Sequence, residues 1–141
     1  QMIAKSRGIQ LTFTAQAPIP MALADDKFVM QIVTNILTNA INYTPAGGSV
    51  FVSVFSAGII DNPQVGLRIQ DTGVGIPPDE LPHIFERFFR GGAGRAAQTP
   101  GTGLGLAIVK ELVDKLRGKI LVDSRVKQGT TVEVILPAEV L

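Results

Sequence analysis

Val65-Gly66-Leu67-Arg68-Ile69-Gln70-Asp71-Thr72-Gly73-Val74-Gly75-Ile76-Pro77 is the stretch around which this chain is organised. Val65, Leu67 and Ile69 alternate with Gly66, Arg68 and Gln70, the period of a strand with one buried face. The strand delivers a single carboxylate, Asp71, at its end, and a threonine and two glycines follow closely. Glycines there let the backbone turn sharply and let a ligand approach. An ionised carboxylate only accepts hydrogen bonds, so a buried Asp71 needs a donor, and the exocyclic amine of an adenine is one. Taken alone, the stretch favours an ordinary aspartate at a strand-to-turn junction. The rest of the chain decides otherwise.

Upstream, alternation over 9–13 predicts a first strand, and 21–24 a short second one beyond Pro18 and Pro20. Asp25 or Asp26 then offers a helix N-cap. Val29, Val33, Leu37 and Ile41 recur at i, i+4, widened by Phe28, Ile32, Ile36 and Ala40 into a face that must be buried. Thr44-Pro45-Ala46-Gly47-Gly48 ends that helix, residues 49–55 form a strand, and 58–63 a turn into the strand of the opening stretch. Asn35 and Asn39 lie one turn apart on one helix face, with Asn42 and Tyr43 a turn further on. Asn is a mediocre helix former, so this density is unusual in a helix that must be buried. The plain reading is a polar rim. The alternative is a pair of amide oxygens offered to a hard cation such as Mg²⁺, which prefers oxygen ligands and keeps several waters.

Downstream, residues 79–84 read as a short helical piece. Phe85-Glu86-Arg87-Phe88-Phe89-Arg90 then holds three of the chain's seven phenylalanines. Arg87 and Arg90 are either surface charges or contacts to a polyphosphate. Residues 91–100 show no periodicity and are long enough for a lid. Gly101-Thr102-Gly103-Leu104-Gly105-Leu106-Ala107 opens a helix whose face is Gly105, Ile108, Val109, Leu112, Val113 and Leu116, with Gly118 as its stop. Glycines feeding a helix N-terminus make an anion site, because free N–H groups point outward there. The run is no P-loop, since Lys110 comes nine residues after Gly101 and no Lys-Ser/Thr follows the last glycine. Nor is it a dinucleotide fingerprint, although Asp123 falls at a suitable distance. Leu106 stands at the third glycine's place and no strand precedes Gly101. Strands at 119–126 and 130–136 close the chain around the turn Lys127-Gln128-Gly129. The order predicts an α+β fold, a two-layer α/β sandwich with a mixed, mostly antiparallel sheet and helices on one face.

Length and composition bound the rest. The 141 residues suit one domain, 1–141, and 45% hydrophobic with 18% charged residues is a globular profile. A net charge of +1 calls for neither nucleic acid nor an anionic membrane, so a phosphate ligand must be drawn by local groups. With no Cys and only His83, zinc clusters and thiol chemistry are excluded. No apolar run approaches a membrane span and no signal peptide is visible, which with the absence of Cys leads us to expect a cytoplasmic domain. Gln1 opens ordinary-looking sequence, so the chain is expected to be part of a longer protein, possessed of a membrane anchor or not.

Together these stretches resemble the ATP-binding domain of sensor histidine kinases, within the gyrase and chaperone ATPase superfamily. Asn35-Ile36-Leu37-Thr38-Asn39-Ala40 is similar to the family's N box, and Asp71 to Pro77 to its G1 box. Ile84 to Arg90 resembles the F box, Gly101 to Ala107 the G2 box, and Gly129-Thr130-Thr131 the threonine turn before the last strand. The resemblance implies roles. Asp71 would accept from the adenine amine, with Gly73, Gly75 and Ile76 shaping the pocket and Thr131 bonding near the same edge. Asn39 and Asn35 would hold Mg²⁺ and act in catalysis, with Tyr43 and Asn42 nearby on the nucleotide. Gly101, Thr102, Gly103, Leu104 and Gly105 would meet the phosphates, and residues 91–100 would be the ATP lid. Phe85, Phe88 and Phe89 would anchor that lid and face a partner helix. Many relatives carry a basic residue where Asn42 stands, so Arg87, Arg90 or Arg95 would take over that charge.

The implied function is to bind Mg²⁺-ATP and pass the γ-phosphoryl to a histidine on a dimerisation helix pair of the same parent protein, with a response regulator served indirectly. The isolated domain is expected to be a monomer. His83 lacks a phosphoacceptor's flanking pattern and reads as a solvent-facing residue. Three rivals belong to other classes, one of them a non-catalytic partner-binding module keeping ATP as a structural ligand, for which the boxes look too complete. A gyrase-type ATPase would need a water-activating carboxylate one turn before Asn39, where Asn35 stands. A free-standing serine kinase of the anti-sigma class conflicts with the intact F box.

Overall fold

The computed structural model of the protein describes residues 8–15, 26–59, 61–86 and 105–138. Five strands and two helices follow in the order β1 (Gln10–Ala15), α1 (Asp26–Asn42), β2 (Ser49–Ile59), β3 (Asn62–Asp71), α2 (Gly105–Lys115), β4 (Lys119–Arg125) and β5 (Gly129–Pro137). A 3₁₀ turn, Leu81–His83, lies between β3 and α2. The strands form one sheet in the order β1-β2-β3-β5-β4. Only β1 and β2 pair in parallel, and every other pair is antiparallel. This is the mixed, mostly antiparallel sheet that the sequence leads one to expect. The predicted strand at 21–24 lies outside the described residues.

The core sits between the sheet and the two helices. Ile32, Ile36, Ala40 and Ile41 of α1 and Val109 and Val113 of α2 are buried against Val50, Val52, Ile69, Val132, Val134 and Leu136. Those strand residues occupy alternate positions, so their neighbours along each strand turn to the other face: Phe51 and Leu121 are exposed there, and Arg68 forms an ion pair with Glu133 at 3.0 Å. The helices meet each other too, with the Lys115 ammonium 5.5 Å from the centre of the Phe28 ring.

Two of the departures from the sequence reading have a visible physical cause. The ladder between β2 and β3 runs on to Ile59↔Asn62, where a turn over 58–63 was expected. Gly58, with its left-handed φ of +78°, lies within the paired strand itself, so most of the turn-forming residues are absorbed into the hairpin arms. At the end of α2 the left-handed residue is Arg117, at φ 61°, and not Gly118. Gly118 N–H reaches back to Val113 O at 2.9 Å and Arg117 N–H to Asp114 O at 3.1 Å, the paired closure that satisfies a helix's last carbonyls. Gly118 is needed for proximity instead: a Cβ there would press on Ile135 O at 2.5 Å.

Candidate functional site

Asp71 ends β3 on the helix-facing side of the sheet. The register places Val50, Asp71, Thr130 and Ser124 side by side in one row across β2, β3, β5 and β4. Asp71 is only 8% exposed, and Thr44 is the only other polar residue so buried among the described residues. Two backbone amides meet its carboxylate, Gly73 N–H at 2.8 Å and Thr130 N–H at 3.2 Å. Both bond to Oδ1. No described residue bonds Oδ2, which leaves that oxygen for a donor from outside. Burial pushes the Asp71 carboxyl above the ordinary aspartate value, and the two amide hydrogen bonds pull it part of the way back.

The loop after Asp71 is held on two sides. On one side Tyr43, just beyond the end of α1, accepts Val74 N–H on its carbonyl oxygen at 3.2 Å, while Tyr43 N–H continues the helix to Asn39 O at 3.1 Å. A Cβ on Gly73 would collide with that Tyr43 carbonyl and stand 2.8 Å from Asp71 Oδ1. On the other side the β4–β5 loop approaches so closely that a Cβ on Gly75 would overlap Arg125 O; Gly75 also sits at φ +75°. Only glycine meets both demands. Lys127 N–H then bonds Val74 O at 2.8 Å, and Ile76 N–H bonds Ser124 Oγ at 2.8 Å. The structure therefore brings Asp71, Gly73, Gly75, Ile76 and Tyr43 together at one end of the sheet.

Thr131 is not with them. It pairs with Gln70 and Asp123, so its side chain belongs to the outer face of the sheet. Thr130 takes the place beside Asp71 that the sequence reading assigned to Thr131, because side chains alternate along a strand and Asp71 pairs with position 130. Ser124 was missed altogether.

Asn35, Asn39 and Asn42 follow α1 toward this loop, and all three are partly buried. Asn35 Nδ2 is buried with no hydrogen-bond partner, the sole such side-chain atom among the described residues. A buried amide without a partner is costly in a fold, and its survival points to a partner from outside. A half-turn of the amide exchanges its NH₂ and its carbonyl oxygen, so the position suits a phosphate oxygen or a hydrated cation. No group of three or more His, Cys, Asp or Glu able to hold a metal exists among the described residues. The amide oxygens that Asn35 and Asn39 can offer would suit Mg²⁺, which needs one or two protein oxygens when phosphates and waters complete its shell.

Gly105 opens α2 with no acidic residue in the first turn, and a Cβ added there would touch no described residue. Among the described residues nothing fills the space beside Gly105. Gly101, Thr102, Gly103 and Leu104 lie outside the described residues, as do Arg87, Arg90, Arg95, Phe88, Phe89 and the expected lid at 91–100. Phe85 is half-buried. His83 is exposed and its Nδ1 lies 2.8 Å from Glu86 Oε2. β4 is antiparallel to its neighbour and carries Asp123 on an exposed position in mid-strand, so α2 and β4 do not form the parallel crossover of a dinucleotide fold.

Comparison with known proteins agrees with this fold. A family model described as histidine kinase-, DNA gyrase B-, and HSP90-like ATPase matches residues 24–140. The sensor histidine kinase Hik2 of Synechocystis is 43% identical over 126 residues, which make up 88% of this chain and 29% of that protein. The sensor histidine kinase RppB of the same organism is 40% identical over 116 residues, 82% of this chain and 25% of that protein. The chain thus spans a quarter to a third of such relatives. Among solved structures, full-length ShkA in complex with AMPPNP superposes with a TM-score of 0.80 at 31% identity, covering 99% of this chain and 28% of that one. The mycobacterial sensor histidine kinase MprB superposes at 0.75 with 35% identity, covering 98% and 88%.

Proposed function

This chain belongs to the histidine kinase-, DNA gyrase B-, and HSP90-like ATPase family, and from that premise we propose that it is the ATP-binding catalytic domain of a sensor histidine kinase. It holds Mg²⁺-ATP and passes the γ-phosphoryl group to a histidine on a dimerisation helix pair of the same parent protein. The observation that carries this reading is Asp71: buried, fixed through Oδ1 by two amides, and offering Oδ2. An adenine amine supplies the donor that Oδ2 lacks. Guanine presents a carbonyl at the same place and would be repelled.

Asn39 and Asn35 would hold Mg²⁺ against the phosphates, where the ion neutralises charge on the transferring group. The open N-terminus of α2 would receive phosphate oxygens. In the transfer an N–P bond forms to the acceptor imidazole while the bond from the γ-phosphorus to ADP breaks. Little covalent chemistry is left to the protein beyond positioning and charge stabilisation. Asn35 is an amide and cannot serve as a base at neutral pH, so water is a poor acceptor here and an external nucleophile is required. A response regulator would take the phosphoryl group from the parent protein. No helix among the described residues is long and apolar enough to cross a membrane. The proposal places the domain in the cytoplasm and takes it to be a monomer.

Incubation with γ-labelled ATP tests the reading. The 141-residue chain should stay unlabelled, and adding the parent's phosphoacceptor helix pair in trans should give acid-labile phosphohistidine on that fragment. Stable label on a Ser or Thr of this chain would replace the proposal with the serine-kinase reading.

A further inference from the structure

We propose that Ser124 is a positioning residue of the base pocket, coupling the β4–β5 hairpin to the loop after Asp71 and thereby setting how tightly and how selectively adenine is held. The proposal rests on the ATP-binding reading above. Its observations do not.

Ser124 sits at the centre of a compact polar group. Its Oγ accepts Ile76 N–H at 2.8 Å, lies 2.7 Å from Thr130 Oγ1 and reaches Gly129 O at 3.1 Å. A hydroxyl has one proton, so Ser124 donates either to Gly129 O or to Thr130 Oγ1. If it donates to Gly129 O, the Thr130 hydroxyl must donate back to Ser124. If it donates to Thr130, the Thr130 proton is released to point elsewhere. Ser124 therefore governs the direction of a hydroxyl on the pocket's own row of the sheet.

Two walls of the pocket also meet through it. One is the loop at Ile76, which Ser124 holds directly. The other is Thr130, whose backbone N–H fixes Asp71 Oδ1. Gly75 is pressed under Arg125 O between these two points, and Lys127 N–H bonds Val74 O. Without the Ser124 hydroxyl, a partly buried Ile76 N–H loses its acceptor and Thr130 loses a partner. Both free the groups that aim Asp71, although Ser124 itself needs no contact with a nucleotide.

The test compares Ser124→Ala and Ser124→Thr with the wild-type chain by two measurements. Amide hydrogen exchange without nucleotide should quicken at Ile76 and Thr130 in S124A, leave the core amides of Val109 and Val134 protected, and return to wild type in S124T, which keeps the hydroxyl. Calorimetric titration should show ATP bound roughly three- to tenfold more weakly by S124A, the scale of one neutral hydrogen bond, with a smaller preference for ATP over GTP and recovery in S124T. Wild-type exchange at Ile76 and Thr130 in S124A would overturn the coupling, and so would equal loss in S124A and S124T. If the wild-type chain binds no ATP, the nucleotide reading fails on its own, while the exchange comparison still upholds or overturns the coupling.

Discussion

The two ends of the candidate site differ in how many of their polar groups the fold has already satisfied. Around Asp71 the protein bonds itself: Gly73 and Thr130 to Oδ1, Val74 to Tyr43 and to Lys127, Ile76 to Ser124. On α1 the buried Asn35 Nδ2 has no hydrogen-bond partner among the described residues. The first region is preorganised, so a ligand loses little in ordering it, and it suits recognition. The second carries a donor that no described residue meets, and it suits a polyphosphate with its metal. Recognition and chemistry should therefore respond differently to substitution.

The largest effect expected is at Asn39. Asn39→Ala should abolish phosphotransfer while leaving ATP binding in EDTA close to wild type, because only the Mg²⁺ contribution is lost. Transfer at the wild-type rate in Mg²⁺ would place the metal elsewhere and break the division between the two ends.

Asp71→Asn sharpens the same contrast from the other side. The amide oxygen can still accept from Gly73 and Thr130, so the fold should persist, and removing a buried charge should leave its stability unchanged or higher. ATP, however, loses a charged acceptor worth roughly 1.5–3 kcal/mol, or about ten- to a hundredfold in affinity, and discrimination against GTP relaxes. Calorimetry giving wild-type ATP affinity in a folded variant would remove Asp71 from the base pocket.

How much of this was legible in the sequence follows from what each feature depends on. The apolar stripe of α1 and the alternation before Asp71 are local periodicities, and both elements form where expected. The choice between Thr130 and Thr131 is not local. A threonine doublet offers one hydroxyl to each face, and only the pairing of Asp71 with position 130 decides between them. Ser124 was accessible in principle. Once a hairpin closes around Lys127, Ser124 and Thr130 must face each other, and a hydroxyl opposite a hydroxyl beside a glycine-rich loop is a signal worth following. Arg117 gave no signal at all, since Gly118 one residue later is the better left-handed residue by any local rule. Packing against Ile135 claims the glycine first.

A smaller effect is expected from pH, and its sign separates folding from binding. Burial raises the Asp71 carboxyl above its unfolded value. The folded chain thus holds that proton more tightly, so this group favours folding most at pH below the unfolded value. That contribution declines as pH rises to the folded value and is flat above it. Nucleotide binding runs the opposite way. The adenine amine needs an ionised Oδ2, so ATP affinity should be full above the folded value and fall by up to about tenfold per pH unit below it. Titrations across that range should show the slope in wild type and none in Asp71→Asn. Equal slopes in both would assign the dependence to another group.

The smallest effect, and the most direct test of the contrast, is at Asn35. Its Nδ2 has no partner among the described residues, and a buried unsatisfied donor costs a fold about 1–3 kcal/mol. Asn35→Ala removes that donor and introduces a better helix former in mid-helix. Some packing is lost in return, so the expected net change is a melting temperature a few degrees higher, of the order that ~1 kcal/mol produces in a domain of this size. Mg²⁺-ATP should meanwhile bind several-fold more weakly, because the group awaiting it is gone. One substitution would then stabilise the empty chain and weaken the complex, the mark of a residue kept for its ligand. If the variant instead melts lower and binds Mg²⁺-ATP as well as wild type, Asn35 serves the fold alone, and the helix end is as self-contained as the pocket around Asp71.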